Sequence, residues 1–268
     1  MVIRPGIELA NLTDTGLVRG ENEDYYCYTE PEDDDSFRVK GRLAVVADGM
    51  GGHIGGKVAS GLAVDEIKST YLSETFEDPR EALVAAFRNA HAAIHQYVRE
   101  HPELKSMGTT CTAAVVREFQ LYYGHIGDSR LYLVHNGAIS QVTRDHSMVN
   151  RLVEEGKLTP EQAASHPDRN VLTAALGMQQ QPEADFSETP VDLWPGDSIL
   201  ICTDGLHGLV SDEEMAYMVN AGTPRDACVN LVEMAKQRGG HDNITVQILK
   251  LNGAAPQRPD LGKTVRID

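Results

Sequence analysis

The 268-residue chain is poor in positive charge: 24 Lys and Arg stand against 40 Asp and Glu, a formal net charge of −16. A general nucleic-acid binder needs a basic face to displace counterions, and anionic lipid recruits basic segments, so neither a nucleic acid nor a membrane is an expected partner. Cysteine is sparse. Cys27, Cys111, Cys202 and Cys228 show no Cys-x-x-Cys spacing, and Cys111 and Cys202 lie in apolar runs as small core residues do. A reducing compartment accounts for this usage, and a cytoplasmic location is expected. The N-terminus lacks the apolar stretch of a signal peptide, and no run approaches the roughly 20 apolar residues of a membrane span. There is no internal repeat and no long linker.

What remains is an ordinary globular composition, 41% hydrophobic and 24% charged, in a chain long enough to bury a core without disulfides or structural metal. Residues 30–36 (EPEDDDS) read as a solvated loop between two strands, followed by a buried strand at 42–47 (RLAVVA). Helices are expected over 56–73 and 78–100. In the second, Leu83, Ala86, Phe87, Ala90 and Ile94 share one face, and Asp78-Pro79 supplies an N-cap with proline in the first helical position. A run of short strands follows at 109–116, 120–126, 130–135 and 138–142, the last two joined by Asn136-Gly137, a strong hairpin signal. Residues 147–168 turn helical and polar. Strands are expected near 183–190 and 198–203, helices near 211–220 and 224–238, and a last strand at 244–250. Strand blocks separated by helix pairs imply an α+β fold with antiparallel sheets. Residues 1–251 form one domain in this reading, and 252–268 a flexible tail.

The chemistry is carried by aspartates at strand ends. An apolar run leads into Asp48-Gly49, and another into Asp204-Gly205; Asp128 follows Gly127, and Asp242 precedes the last strand. Any one of these is an ordinary turn. Four together, two of them after strongly apolar runs, point to a carboxylate cluster at one rim of a sheet, which needs cations at neutral pH; hard divalent ions favour oxygen ligands of this kind. Arg19 stands five residues before Asp24, and an arginine fork suits a phosphate oxygen as well as it suits a surface ion pair.

Two other patterns fail on inspection. Residues 51–58 (GGHIGGKV) match Walker A spacing except at Val58, where Ser or Thr is required to hold Mg²⁺. His91 and His95 have the i, i+4 spacing of a helical metal pair, but no Glu follows the first, and both read as helix-surface residues.

Eight segments in order resemble the metal-dependent protein phosphatases of the PPM, or 2C, class in their bacterial form: 19–24 (RGENED), 46–53 (VADGMGGH), 107–110 (MGTT), 127–130 (GDSR), 143–146 (TRDH), Arg169-Asn170 with Leu176-Gly177, 202–205 (CTDG) and 242–245 (DNIT). The resemblance spans about residues 7–250. It implies a four-layer α-β-β-α sandwich of two antiparallel sheets flanked by helix pairs, and hydrolysis of phosphoserine and phosphothreonine in proteins. It implies two Mn²⁺ or Mg²⁺ ions, with a third, weaker site. Asp48 would bridge the pair, the Gly49 carbonyl would bind one ion, Asp204 and Asp242 the other, Asp24 would hold water around them, and Asp128 would serve the third site. Arg19 would take the substrate phosphate, and residues 147–168 would be the flap beside the active site. Phosphorylated proteins would be the substrates, a bacterial eukaryotic-type Ser/Thr kinase the opposing partner, and the chain a monomer. Where animal relatives carry a His directly after the Asp-Gly pair, this chain has Met50; His53 is the nearest histidine and the candidate general acid, with water as the alternative.

Overall fold

The computed structural model describes residues 4–51, 54–73, 76–178 and 183–253. The strands are β1 (Ile7–Asp14), β2 (Asp24–Thr29), β3 (Arg42–Met50), β4 (Gly108–Thr109), β5 (Cys111–Arg117), β6 (Gln120–Ile126), β7 (Arg130–His135), β8 (Ala138–Gln141), β9 (Asp185–Phe186), β10 (Val191–Asp192), β11 (Ser198–Cys202) and β12 (Ile244–Leu251). The helices are α1 (Asp34–Lys40), α2 (Ile54–Ser73), α3 (Pro79–Glu100), α4 (Met148–Glu154), α5 (Pro160–Ala164), α6 (Asp204–His207), α7 (Asp212–Ala221) and α8 (Pro224–Gln237). One sheet has the order β1-β12-β11-β7-β8. The other runs β10-β6-β5-β3-β2, with β4 pairing β3 and β9 pairing β6. All these strand pairs are antiparallel.

The layers follow from alternation along strands buried on both faces. In β3, Leu43, Val45 and Ala47 face α2 and α3, whereas Ala44 and Val46 face the other sheet. In β11, Leu200 and Cys202 pack with α7 and α8, whereas Ile199 and Ile201 point between the sheets. Three apolar layers therefore separate four layers of secondary structure, the expected α-β-β-α sandwich. The layer between the sheets is aliphatic over most of its length. At one end it turns polar, where Thr13, Asp24, Thr203 and Thr245 meet.

Several local expectations hold. Asp78 caps α3 by accepting from the Arg80 N–H at 2.9 Å, with Pro79 next in line. Asn136 and Gly137 both have positive φ, 50° and 83°, as a two-residue hairpin turn matching strand twist requires. Cys111 and Cys202 are fully buried.

Others are corrected. The acidic segment is not all loop: Asp33 accepts from the Ser36 N–H and starts α1, acids fill its first turn and Arg38 and Lys40 its last, so capping and the helix dipole make a helix where composition suggested only solvation. The strand expected at 183–190 shrinks to β9. His91 is buried rather than on the helix surface, its Nδ1 accepting from the Gly177 N–H at 3.2 Å. β3 extends to Met50, which places Asp48 and Gly49 within the strand. Lys57 lies on α2, which follows a strand paired antiparallel, unlike the parallel-sheet setting of a Walker motif. Among the described residues no helix is long and apolar enough to cross a membrane. Residues 254–268, most of the expected tail, lie outside the described residues.

Candidate active site

The site lies at the polar end of the inter-sheet layer. Asp24 opens β2 and stands directly opposite Asp48 in the β2–β3 register. The backbone of Asp48 is held from both sides. Its N–H donates to Thr110 Oγ1 at 2.9 Å, and its carbonyl accepts from Thr109 Oγ1 at 2.8 Å and the Thr110 N–H at 2.9 Å. Gly49 and Gly56 approach so closely that a Cβ on Gly49 would overlap the Gly56 carbonyl, which accounts for the absence of side chains there. Asp204 is the first residue of α6. Asp242 precedes β12 and accepts the Asn243 N–H on Oδ1 at 2.8 Å.

Arg19, Asp48, Gly49, Asp128, Asp204 and Asp242 all line one cleft of about 580 Å³, so the structure brings together six of the eight residues singled out in the sequence. Asp24, the seventh, is buried beside it at 6% exposure. His53 lies outside the described residues.

Burial governs the electrostatics. It raises the Asp24 pKa to about 7, with Asp204 and Asp242 adding and hydrogen bonds from Thr245 and Thr203 opposing. Burial also raises Asp128 to about 8, helped by Asp204 and Asp145, and Asp204 to about 6, helped by Asp242. Asp48 is pushed well above the carboxylate range by burial and then by Asp24, Asp204, Asp128 and Asp242. Asp48, Asp128, Asp204 and Asp242 are half-buried, each with one side toward the cleft.

Two atoms test whether a cation suits this cluster. Asp24 Oδ2 accepts from Thr245 Oγ1 at 2.6 Å and Thr203 Oγ1 at 3.0 Å, but its Oδ1, like Oδ1 of Asp204, is buried with no hydrogen-bond donor. Orphaned carboxylate oxygens in a dry setting are costly unless a positive charge meets them. The donors are all oxygen, as a hard divalent ion requires. Among the described residues no three His, Cys, Asp or Glu side chains already converge as a finished metal site. Asp48, Asp128, Asp204 and Asp242 face one cleft. The residues present fit Mn²⁺ or Mg²⁺ by chemistry and charge.

The supporting residues were not assigned from sequence. Asn243 accepts the Glu23 N–H at 2.8 Å and donates to the carbonyls of Thr15 and Glu21, both at 3.0 Å, tying the β1–β2 loop to the start of β12. Thr203, the N-cap of α6, spends its hydroxyl on Asp24 instead of the helix. His207 donates from Nε2 to the Asp128 carbonyl at 2.9 Å, so α6 carries Asp204 at its first residue and grips Asp128 with its last. Asn243, Thr203 and Thr245 lie inside the quoted motifs, which was the available signal.

Comparison with known proteins agrees with this architecture. The family model described as Protein phosphatase 2C matches residues 28–237. The chain is 38% identical over 243 residues to the serine/threonine protein phosphatase PstP of Mycobacterium tuberculosis, covering 90% of this chain and 44% of that protein, so it spans less than half that relative's length. It is 34% identical over 250 residues to protein phosphatase PhpP of Streptococcus pneumoniae, covering 92% of this chain and 98% of that one. The crystal structure of the PstP catalytic domain in complex with two manganese ions superposes with a TM-score of 0.78 at 34% identity, covering 92% of this chain and 99% of the other. The chain belongs to the protein phosphatase 2C family.

Proposed function

We propose that this chain hydrolyses phosphoserine and phosphothreonine in proteins, using two Mn²⁺ or Mg²⁺ ions held by the cleft. The observation that carries this reading is the placement of Asp48, Asp204 and Asp242 with Arg19 at one cleft and of Asp24 buried beside it, with orphaned buried oxygens on Asp24 and Asp204. Asp48 is assigned between the two ions, the Gly49 carbonyl to one, and Asp204 and Asp242 to the other. Asp24 orders water around them, and Asp128 belongs to a third, weaker site. Bound divalent ions supply water activation near neutral pH and neutralise phosphoryl charge. Arg19, half exposed at the cleft mouth, receives a phosphate oxygen and adds charge to the equatorial face. The proton for the leaving serine or threonine oxygen is assigned to His53, with cleft water as the alternative.

Residues 147–168, with α4 and α5, act as the flap. The chain works as a monomer in the cytoplasm and reverses a bacterial eukaryotic-type Ser/Thr kinase. The test is hydrolysis of a phosphothreonine peptide with Mn²⁺ and with EDTA. Turnover confined to the Mn²⁺ sample and lost in Asp48→Ala supports the assignment. Turnover in EDTA, or none in either sample, overturns it.

A further inference from the structure

A second cavity, of about 520 Å³, lies under α4 and α5. Asp128, Asn170, Asp204 and Asp242 line both it and the carboxylate cleft, so the two spaces adjoin. The segment above it is an arch tied at its feet. Ser147 and Leu172 form an antiparallel bridge, Met148 N–H donates to the Val171 carbonyl, and Thr173 N–H to the His146 carbonyl, the latter two at 2.8 Å. α5 brings only compact side chains to the space, those of Pro160, Ala163 and Ala164. Val149 and Val153 of α4, with Leu209 opposite, complete an aliphatic wall.

The polar floor is largely spent internally. Arg130 donates to Asp145 from Nε at 3.0 Å and from Nη2 at 2.7 Å. Asn150 donates to the Asp145 carbonyl at 2.9 Å, and His207 to that of Asp128. Of the charged groups in its walls, Arg130 and Asp145 neutralise each other, and Asp128, Asp204 and Asp242 are the carboxylates assigned to metal, which leaves exposed Arg169 as the one uncommitted charge among the lining residues. What the cavity leaves uncovered is its aliphatic side. Because it adjoins the cleft, a residue flanking a phosphoryl group placed there is within reach of it.

We infer that this cavity is a substrate subsite that takes one aliphatic side chain, of the Leu, Ile, Met or Val type, flanking the phosphorylated residue. The inference rests on the phosphatase reading above and deepens it. Filling the aliphatic wall removes apolar surface from water only when such a side chain is present, so the subsite sets specificity and leaves the chemistry of the phosphoryl group alone.

The test compares p-nitrophenyl phosphate, which has no flanking residues, with phosphothreonine peptides carrying Leu, Lys, Glu or Gly at one flanking position at a time, all with Mn²⁺. At one position Leu is expected to raise kcat/KM about tenfold or more over Gly. Ala164→Leu, at an exposed helix position, and Ala163→Leu are expected to erase that preference while p-nitrophenyl phosphate turnover stays within about twofold of wild type. Absence of p-nitrophenyl phosphate hydrolysis by the wild type overturns the phosphatase reading itself. Hydrolysis with a flat peptide panel, or with Lys or Glu preferred at every responsive position, overturns only the subsite. The wild-type panel decides the matter even where a cavity-filling variant fails to fold.

Discussion

Arg19 donates from Nη2 to Oδ2 of Asp242 at 2.7 Å, so the residue assigned to phosphate is the ion-pair partner of a carboxylate assigned to metal. The pair bridges the β1–β2 loop and the start of β12. Side-chain exposures of 53% and 32% leave it well solvated. Such a pair is worth at most about 1 kcal/mol, small enough for a phosphate or a cation to displace.

Arg19→Ala should therefore separate two affinities. Losing a charge-assisted contact to phosphate costs about 1.5–3 kcal/mol, roughly ten- to a hundredfold in the inhibition constant for inorganic phosphate. Mn²⁺ should bind at least as tightly as in wild type, because the change removes a competing cation from Asp242. Inhibition kinetics and calorimetry read the two separately. An unchanged phosphate constant rejects the assignment of Arg19.

Asp48→Ala should abolish hydrolysis without weakening the fold. Its carboxyl is held in a field of like charges, so in EDTA the variant should melt at or above wild type. Wild type should gain about 2.7 kcal/mol at a hundredfold excess of Mn²⁺ over its dissociation constant. That corresponds to a rise of ~5–10 °C in Tm for a chain of this size, and Asp48→Ala should lose most of it. Scanning calorimetry with and without Mn²⁺ decides this, and a wild-type Tm insensitive to millimolar Mn²⁺ means the aspartates do not share a site.

The pH dependence in EDTA has a definite sign. A carboxyl whose folded pKa exceeds its unfolded value of about 3.9 favours the fold fully below that value, and the contribution is lost as pH rises through the folded pKa. Asp24 at about 7 and Asp128 at about 8 place that loss across neutrality. His125 and His207 work oppositely: burial lowers each to about 4, so their contribution is complete above the unfolded value of about 6.5 and fades as pH falls toward 4. Above about pH 6.5 the carboxylates act against a constant histidine background. The Tm in EDTA should fall between about pH 6.5 and 8.5, and Mn²⁺ should flatten the slope by neutralising the same groups. A Tm in EDTA that rises over that range contradicts the raised carboxyl pKa values.

Gly205→Ala should damage the site through the backbone. A Cβ there would overlap the Asn243 carbonyl, and Asn243 holds Glu23 and the β1–β2 loop. Overpacking of this kind costs about 1–3 kcal/mol. The variant should melt several degrees lower and need more Mn²⁺ for half-maximal activity. Gly61→Ala, inside α2 with open space around its Cβ, is the control expected to raise Tm slightly through helix propensity and to leave the Mn²⁺ requirement unchanged.

Much of this protein was determined by local sequence. The Asn136-Gly137 turn, the Asp78-Pro79 cap and the alternation of Leu43, Val45 and Ala47 with Ala44 and Val46 each carry their own physics within a few residues. They were legible without a fold, and the ordered motifs around Asp24, Asp48, Asp128, Asp204 and Asp242 named the carboxylates. Local reading failed where two influences competed. Residues 30–36 are as acidic as a loop, yet Asp33 caps a helix over 34–40, and His91 is polar yet sits on the packed side of α3. Tertiary structure alone decided how the aspartates relate. Antiparallel register sets Asp24 opposite Asp48, Asn243 and Thr203 join segments some 220 and 179 residues apart in the chain, and His207 reaches back 79 residues to the Asp128 carbonyl. The raised carboxyl pKa values and the cavity under α4 and α5 belong to that level as well. Both arise from which groups are removed from water together, and burial is a property of the packed chain that no single segment contains.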